Sequence, residues 1–190
     1  ADSLPNLLEY AVKARMPLVL CATGYTEADQ QAINEAAATV PVLQSANMSL
    51  GIAVLRQLAA MAARALGDGY DVEIIEKHHR RKLDSPSGTA LMLYEAVKRE
   101  KNGNVVPVYG RYGRDAKRNA DEIGLHAVRG GTVTGEHEVG FYGNGEEILL
   151  THRAENRALF AEGALRAARF VAGKPAGRYE MKDVVAEILA

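Results

Sequence analysis

Hydrophobic and polar positions along the chain follow two regimes. From Asp2 to Arg15, Leu4, Leu8, Ala11 and Val12 fall on one face of a helix that Asp2 or Ser3 is placed to cap. "PLVLCATG" (Pro17–Gly24) is a short unbroken apolar run closed by glycine, the form of a buried parallel strand. A helix over "TEADQQAINEAAA" comes next, with Thr26 and Asp29 spaced as in a capping box, and then a second buried strand, "VPVLQSAN" (Val40–Asn47). Helix, strand, helix, strand predicts α/β crossovers and a parallel sheet. Two strands make a very small sheet, so either it is completed elsewhere in the chain or something upstream is missing.

Gly51–Leu66 reads as a long helix with Leu55, Leu58, Ala62 and Leu66 on its stripe and Gly67 just past its end. "YDVEIIEKHH" reads as a strand with Val72 and Ile74 on one side, ending near Glu76. Beyond Val105 the grammar changes to short strands with glycine-rich links: "VVPVYGRYG", "IGLHAVRGG", "TVTGEHEVGFYG" and "EEILLTHRA". Alternation within them predicts an antiparallel meander, with "VRGG" (Val128–Gly131) as a hairpin turn. Helices over Arg157–Ala172 and about Lys182–Leu189 close the chain, separated by "GKPAGRY", and are placed to pack back on the first domain. Lys98–Asn104 and Gly110–Glu122 read as exposed, mobile loops. The expected fold class is α/β: an incomplete Rossmann-like parallel-sheet domain (1–49 and 155–190) plus an α+β domain with a mixed or antiparallel sheet (50–154).

Composition narrows the function classes. With 23 Lys+Arg against 24 Asp+Glu in 190 residues, the chain lacks the basic excess of a general nucleic-acid or membrane-surface binder. No apolar run approaches the roughly 20 residues that span a bilayer. One cysteine, Cys21, precludes an internal disulfide and fits a reducing compartment, so a soluble cytoplasmic protein is expected, with neither nucleic acid nor membrane as partner.

The candidate chemistry is concentrated in "EKHHRRKLDSPSGTALMLYEAV" (Glu76–Val97). His78 and His79 are adjacent on an extended chain and point to opposite sides, so they do not form a ready metal pair, and no metal is expected. A histidine titrates near neutrality and suits proton transfer, and Arg80, Arg81 and Lys82 favour an anionic substrate. Ser87 is placed as N-cap of a helix with stripe Ala90, Leu93, Tyr94 and Val97; the N–H groups of its first turn can seat a carboxylate or phosphate, and Gly88 permits close approach. A basic loop before a capped helix is also a common solvated surface feature. "CATGY" and "SANMSLG" lie at the carboxyl ends of the two parallel strands, where open α/β sheets bind ligands. No GxGxxG or Walker loop is present, Cys21 on a buried strand is expected to be inert, and His126, His137 and His152 read as packing or surface residues.

"EKHHRRKLDSPSGTA" closely resembles the signature of the 4-hydroxy-tetrahydrodipicolinate reductase (dihydrodipicolinate reductase) family of lysine and diaminopimelate biosynthesis, Glu-x-His-His-x-x-Lys-x-Asp-x-Pro-Ser-Gly-Thr-Ala. "CATGYTEADQQAI", "SANMSLGI" and the segment from "GEHEVGFYG" to "RAARFV" resemble further family segments. The resemblance implies a dinucleotide-binding domain, a substrate domain and a homotetramer. It implies that His78 donates or accepts the proton, that Lys82 is a second donor contacting substrate, and that His79, Gly88 and Thr89 bind the carboxylates of a small dicarboxylate. Cys21, Ala22, Thr23, Ser45, Ala46, Asn47 and Met48 would line the nicotinamide site of NADH or NADPH, with Arg157 and Phe160 near the cofactor. Cys21-Ala22 stands where the family has Gly/Ala-Thr, and Met48 where it has Phe. The family's Gly-rich phosphate loop is absent, so the chain is expected to begin partway through the nucleotide domain. The alternative is a non-catalytic oligomeric or ligand-binding short form.

Overall fold

The structure is a computed structural model and describes residues 3–101 and 104–189. The chain divides into two compact units, residues 1–53 with 158–190 and residues 54–157.

The first unit opens with α1 (Leu4–Ala14), whose Leu4, Leu8 and Ala11 are buried. Ser3 is its N-cap residue, but its side chain makes no capping bond; Asp2, the other expected cap, lies outside the described residues. Arg15 closes the helix in the left-handed region (φ 52°), its N–H returning to the carbonyls of Ala11 and Val12. β1 (Leu18–Leu20) is shorter than its apolar run suggests, so Cys21 leaves the strand and is exposed. α2 (Glu27–Ala37) starts on a complete Thr26–Asp29 capping box, and β2 (Pro41–Gln44) follows.

A third strand completes the sheet. Gly177–Tyr179, read in the sequence only as part of a link between helices, pairs parallel to β2, giving the order β1-β2-β8 with all strands parallel. Val42 and Leu43 show why the runs are continuously apolar. Val42 joins the cluster built from Leu4, Leu8, Ile33 and Val40, and Leu43 joins one built from Met48, Ala167, Phe170, Val171, Met181 and Val185. Strands covered on both faces have no polar side to show. The second cluster is supplied by α5 (Ala158–Ala172) and α6 (Met181–Leu189), which thus pack against β2 as expected.

The unit boundary falls inside α3 (Leu50–Leu66). Its buried stripe is Ile52, Leu55, Ala59 and Ala63; Leu58, expected on it, is exposed. Leu50–Gly69 does reach the length and mean hydropathy of a bilayer-crossing helix, contrary to the expectation, but Arg56 and Arg64 interrupt it and its buried residues form a single stripe, as in an amphipathic helix.

The second unit is a five-stranded sheet, β4-β5-β3-β6-β7, from β3 (Asp71–His78), β4 (Val106–Tyr109), β5 (Glu122–Arg129), β6 (Gly135–Tyr142) and β7 (Glu147–Ala154). It is mixed rather than a meander: β3 inserts between β5 and β6, parallel to the first and antiparallel to the second. "VRGG" therefore leads across β3 and is not a hairpin turn. α4 (Gly88–Glu100) packs on β3 and β6, with Ala90, Leu93, Tyr94 and Val97 buried. Lys98–Glu100, expected in a loop, form its last turn; Asn102 and Gly103 lie outside the described residues.

A second loop expectation also changes. Gly110–Glu122 is tied down, not free. Arg111 bridges Glu73 and Glu122 at 2.9 and 2.5 Å, and Arg118 reaches Asp71 and Glu73 at 2.7 and 3.2 Å. Gly124 makes the arrangement possible, because a Cβ there would land 1.7 Å from Glu73 Oε2.

Gly163 has a comparable role in α5: a Cβ at this position would sit 1.7 Å from the backbone carbonyl oxygen of Met48. Helix and loop touch only because the side chain is missing. Gly163→Ala should therefore lower stability by about 1–3 kcal/mol in urea denaturation. Gly173→Ala, where an added Cβ meets nothing within 4 Å, should be close to neutral. Equal midpoints for both variants would contradict this packing account.

Candidate active site

The site grows out of one face of the second sheet. Period-2 alternation puts Val72, Ile74, Glu76 and His78 on the same side of β3, and all four are buried. Register extends that face: Val72 pairs with Ile123 and Phe141, Ile74 with Leu125 and Val139, and then Glu76 with His137 and His78 with Arg129. An apolar face thus turns polar at its far end, next to the start of α4. The strand does not stop at Glu76. Glu76 belongs to the inward face together with His78.

Ser87 joins this end of the sheet to the helix. Its Oγ accepts from Ala90 N–H at 3.1 Å as the N-cap, and lies 3.1 Å from His137 Nε2. Its own N–H donates to Glu76 Oε1 at 3.1 Å. Gly88 and Thr89 open the helix, where N–H groups have no intrahelical acceptor and the positive end of the helix dipole favours an anion.

Glu76, 1 % exposed, is the hub. Arg129 grips it with two hydrogen bonds, Nη2 to Oε1 at 2.7 Å and Nη1 to Oε2 at 2.8 Å, and His78 Nδ1 meets Oε2 at 2.5 Å. Burial acts to raise the Glu76 pKa, but the bonds from Arg129, His78 and Ser87 outweigh it and hold the carboxyl below its ordinary value. Burial depresses the His78 pKa, and Glu76 only partly offsets this.

Sequence reasoning missed Arg129 and His137 as members of this site. His137 is 4 % exposed, packs edge-on against the His78 ring with centroids 5.1 Å apart, and is pushed down to about 4 by burial first and the neighbouring His78 second. His126, by contrast, lies on the other face of the sheet and pairs with Glu73 at 2.6 Å.

The expected substrate residues share this unit. His79 points away from His78 and has Arg157 Nη2 at 3.5 Å from its Nε2, so Arg157, expected near a cofactor, meets His79. Lys82 pairs with Asp84 at 2.8 Å, and its N–H donates to the His79 carbonyl. His78, His79, Lys82, Gly88 and Thr89 therefore gather around one strand end and one helix start. No group of three or more His, Cys, Asp or Glu able to hold a metal occurs among the described residues.

Apart from Arg157, the expected cofactor residues lie in the first unit. Cys21, Ala22 and Thr23 are exposed beyond β1, and Ser45–Met48 follow β2, at the carboxyl ends of adjacent parallel strands. The second segment is well fixed: Ser45 N–H donates to the Leu20 carbonyl at 3.2 Å, Ser45 Oγ to the Asn47 carbonyl at 2.7 Å, and Ser49 N–H to Asn47 Oδ1 at 2.9 Å. Phe160 is half-buried in α5. Cys21, Ala22, Thr23 and Ala46 are exposed and Ser45 and Asn47 half-buried, but Met48, expected to line the same site, is 4 % exposed because its side chain packs in the cluster of Leu43, Ala167 and Phe170.

A parallel α/β unit, joined in sequence to a mixed-sheet unit that carries a buried Glu76–His78–Arg129 cluster, is the two-unit plan of an α/β enzyme. Two family models match, "Dihydrodipicolinate reductase, N-terminus" over residues 1–48 and "Dihydrodipicolinate reductase, C-terminus" over residues 51–185. The 4-hydroxy-tetrahydrodipicolinate reductase of Caldanaerobacter subterraneus subsp. tengcongensis is 46% identical over 97% of this chain and 73% of its own length. That of Thiobacillus denitrificans is 48% identical over 94% of this chain and 67% of its own length. A solved structure, dipicolinate-bound dihydrodipicolinate reductase from Paenisporosarcina sp. TG-14, shares the fold with a TM-score of 0.78 at 23% identity, covering 96% of this chain and 69% of that one. The chain belongs to the 4-hydroxy-tetrahydrodipicolinate reductase family and is an oxidoreductase of that family.

His137 supplies a pH signature. Its proton is bound near pH 6.5 in the unfolded chain and near 4 in the folded one. Between those values the unfolded chain holds more protons, so acidification favours unfolding. The contribution is fully present above 6.5, is lost as the pH falls towards 4, and levels off below. Denaturation midpoints across this window should fall more steeply for the wild type than for His137→Gln; parallel slopes would contradict a buried neutral imidazole.

Proposed function

We propose that this chain reduces 4-hydroxy-tetrahydrodipicolinate to tetrahydrodipicolinate in lysine and diaminopimelate biosynthesis, with NADH or NADPH as cofactor. The observation that carries the reading is the convergence of His78, Lys82 and the first turn of α4 at one end of the β3 face. The bound reduced nicotinamide would supply the hydride, and the 4-hydroxyl leaves as water, so hydride and one proton in are balanced by one water out. The protein's tasks are to seat a dianion, orient it and deliver one proton.

Each task has residues suited to it. Gly88 and Thr89, opening α4, and His79 engage the carboxylates. Lys82 adds a mobile positive charge; in the free protein Asp84 holds it, and a substrate carboxylate competes for it. His78 delivers the proton from Nε2, the nitrogen not engaged by Glu76. Burial keeps the free His78 mostly neutral near pH 7, and the negative charge of an arriving dicarboxylate favours its protonated form. The site is thereby charged with a proton by the substrate that consumes it.

Cys21, Ala22, Thr23, Ser45, Ala46 and Asn47 would hold the nicotinamide end, with the buried Met48 supporting their ledge from below, and Arg157 and Phe160 would lie near the cofactor, Arg157 also near His79. The sequence contains no GxGxxG, so these residues account for the ring end of the dinucleotide and not for its pyrophosphate. The first unit then serves as the dinucleotide-binding domain and the second as the substrate-binding and oligomerisation domain of a cytoplasmic homotetramer.

A spectrophotometric assay tests the reading. The chain, given the substrate, should oxidise NADH or NADPH; no oxidation of either would contradict the proposal. His78→Gln should lower kcat by about 10²–10⁴-fold, the range for a positioned acid. Lys82→Ala should cost about 10–100-fold in kcat/KM, the worth of one hydrogen bond to a charged group. Near-normal kinetics in either variant would remove that residue from its role.

A further inference from the structure

Glu76 is more than a buried counter-ion. Each of its oxygens takes two hydrogen bonds: Oε1 from Ser87 N–H and Arg129 Nη2, Oε2 from His78 Nδ1 and Arg129 Nη1. A carboxylate held ionised by a bidentate guanidinium can only accept, so the proton between Glu76 and His78 belongs to Nδ1. Arg129 also donates to the Asp84 carbonyl at 2.8 Å, extending the same clamp to the segment between β3 and α4.

The groups facing His78 are few and come from every element around it: Glu76 on its own strand, Arg129 on β5, His137 on β6 and Lys82 in the following loop. Of these groups among the described residues, Glu76 is the anion. Gly135 on β6 leaves the other side of the ring open, since a Cβ there would stand 3.2 Å from His78 Nε2. Nδ1 is thus anchored, and Nε2 has space beside it.

We propose that Glu76 is the positioning residue of this site: clamped by Arg129, it fixes His78 as the Nδ1–H tautomer with Nε2 as the reactive nitrogen, and through Ser87 N–H it locks that ring to the helix terminus that seats the substrate carboxylate. The proposal rests on the reading of His78 as the proton donor. One carboxylate thereby sets the placement of proton source and anion seat together. A purely structural ion pair would tie α4 to the sheet equally well, but it would not dictate the protonation of an imidazole.

Imidazole ¹⁵N–¹³C NMR of the free protein separates the two. In the wild type above neutral pH, His78 should carry its proton on Nδ1. In Glu76→Gln, removal of the anion that bonds Nδ1 should lower the His78 pKa and mix the tautomers. The limb of the kcat/KM profile that falls with rising pH should move to lower pH by the same amount, with kcat reduced about a hundredfold and KM changed far less. His78 protonated on Nε2 in the wild type would overturn the proposal, even if Glu76→Gln fails to fold. A folded Glu76→Gln with unchanged His78 pKa and kcat would overturn it as well. If the wild type oxidises no reduced nicotinamide, the functional reading fails separately, and the tautomer and pKa of the free protein still decide the role of Glu76.

Discussion

A buried carboxylate with four hydrogen bonds holds the second unit's site together. Glu76 sits where a sheet face turns from apolar to polar, a position where an ionised group without partners would be strongly disfavoured. Its partners come from three places: Arg129 from β5, His78 from the same strand two residues on, and Ser87 from the cap of α4. Removing one partner would leave a buried charge uncompensated, the situation that makes broken buried pairs so destabilising. The His78 ring, the Ser87 cap and the start of α4 are therefore tied to a single group.

The same economy of placement recurs elsewhere. Glycines at 124 and 163 exist where another group must come closer than a Cβ allows, Glu73 in one case and the Met48 carbonyl in the other. The first brings the carboxylate that binds Arg111, Arg118 and His126; the second presses α5 against the ledge that follows β2. In both places a missing side chain sets how closely two segments approach, and neither glycine serves a turn.

Local features were legible in the sequence, and pairing between distant segments was not. The Thr26–Asp29 box, the Ser87 cap and the Ala90–Val97 stripe depend on residues within a turn or two of each other, and all three stand in the structure. The run from His78 to Thr89, read in the sequence as a proton carrier beside an anion seat, lies at one strand end and one helix start. The position of β3 between β5 and β6 depends on contacts across some fifty residues, for which short alternating strands carry no address. Arg129 was therefore read as part of a turn and His137 as packing. β8 was hidden because three residues among glycines and a proline acquire strand character only from pairing with β2. One signal was available and not used: the alternation Val72, Ile74, Glu76, His78 already assigns the Glu76 carboxylate to the inward face.

The central claim is that the end of the β3 face and the first turn of α4 form a seat for a dicarboxylate. Titrating the ¹⁵N-labelled chain with dipicolinate addresses it most directly. The account predicts saturable shifts of the His79, Gly88 and Thr89 amides together with a rise in the His78 pKa. Saturable binding that leaves these amides and His78 untouched would contradict it, and so would no binding at all.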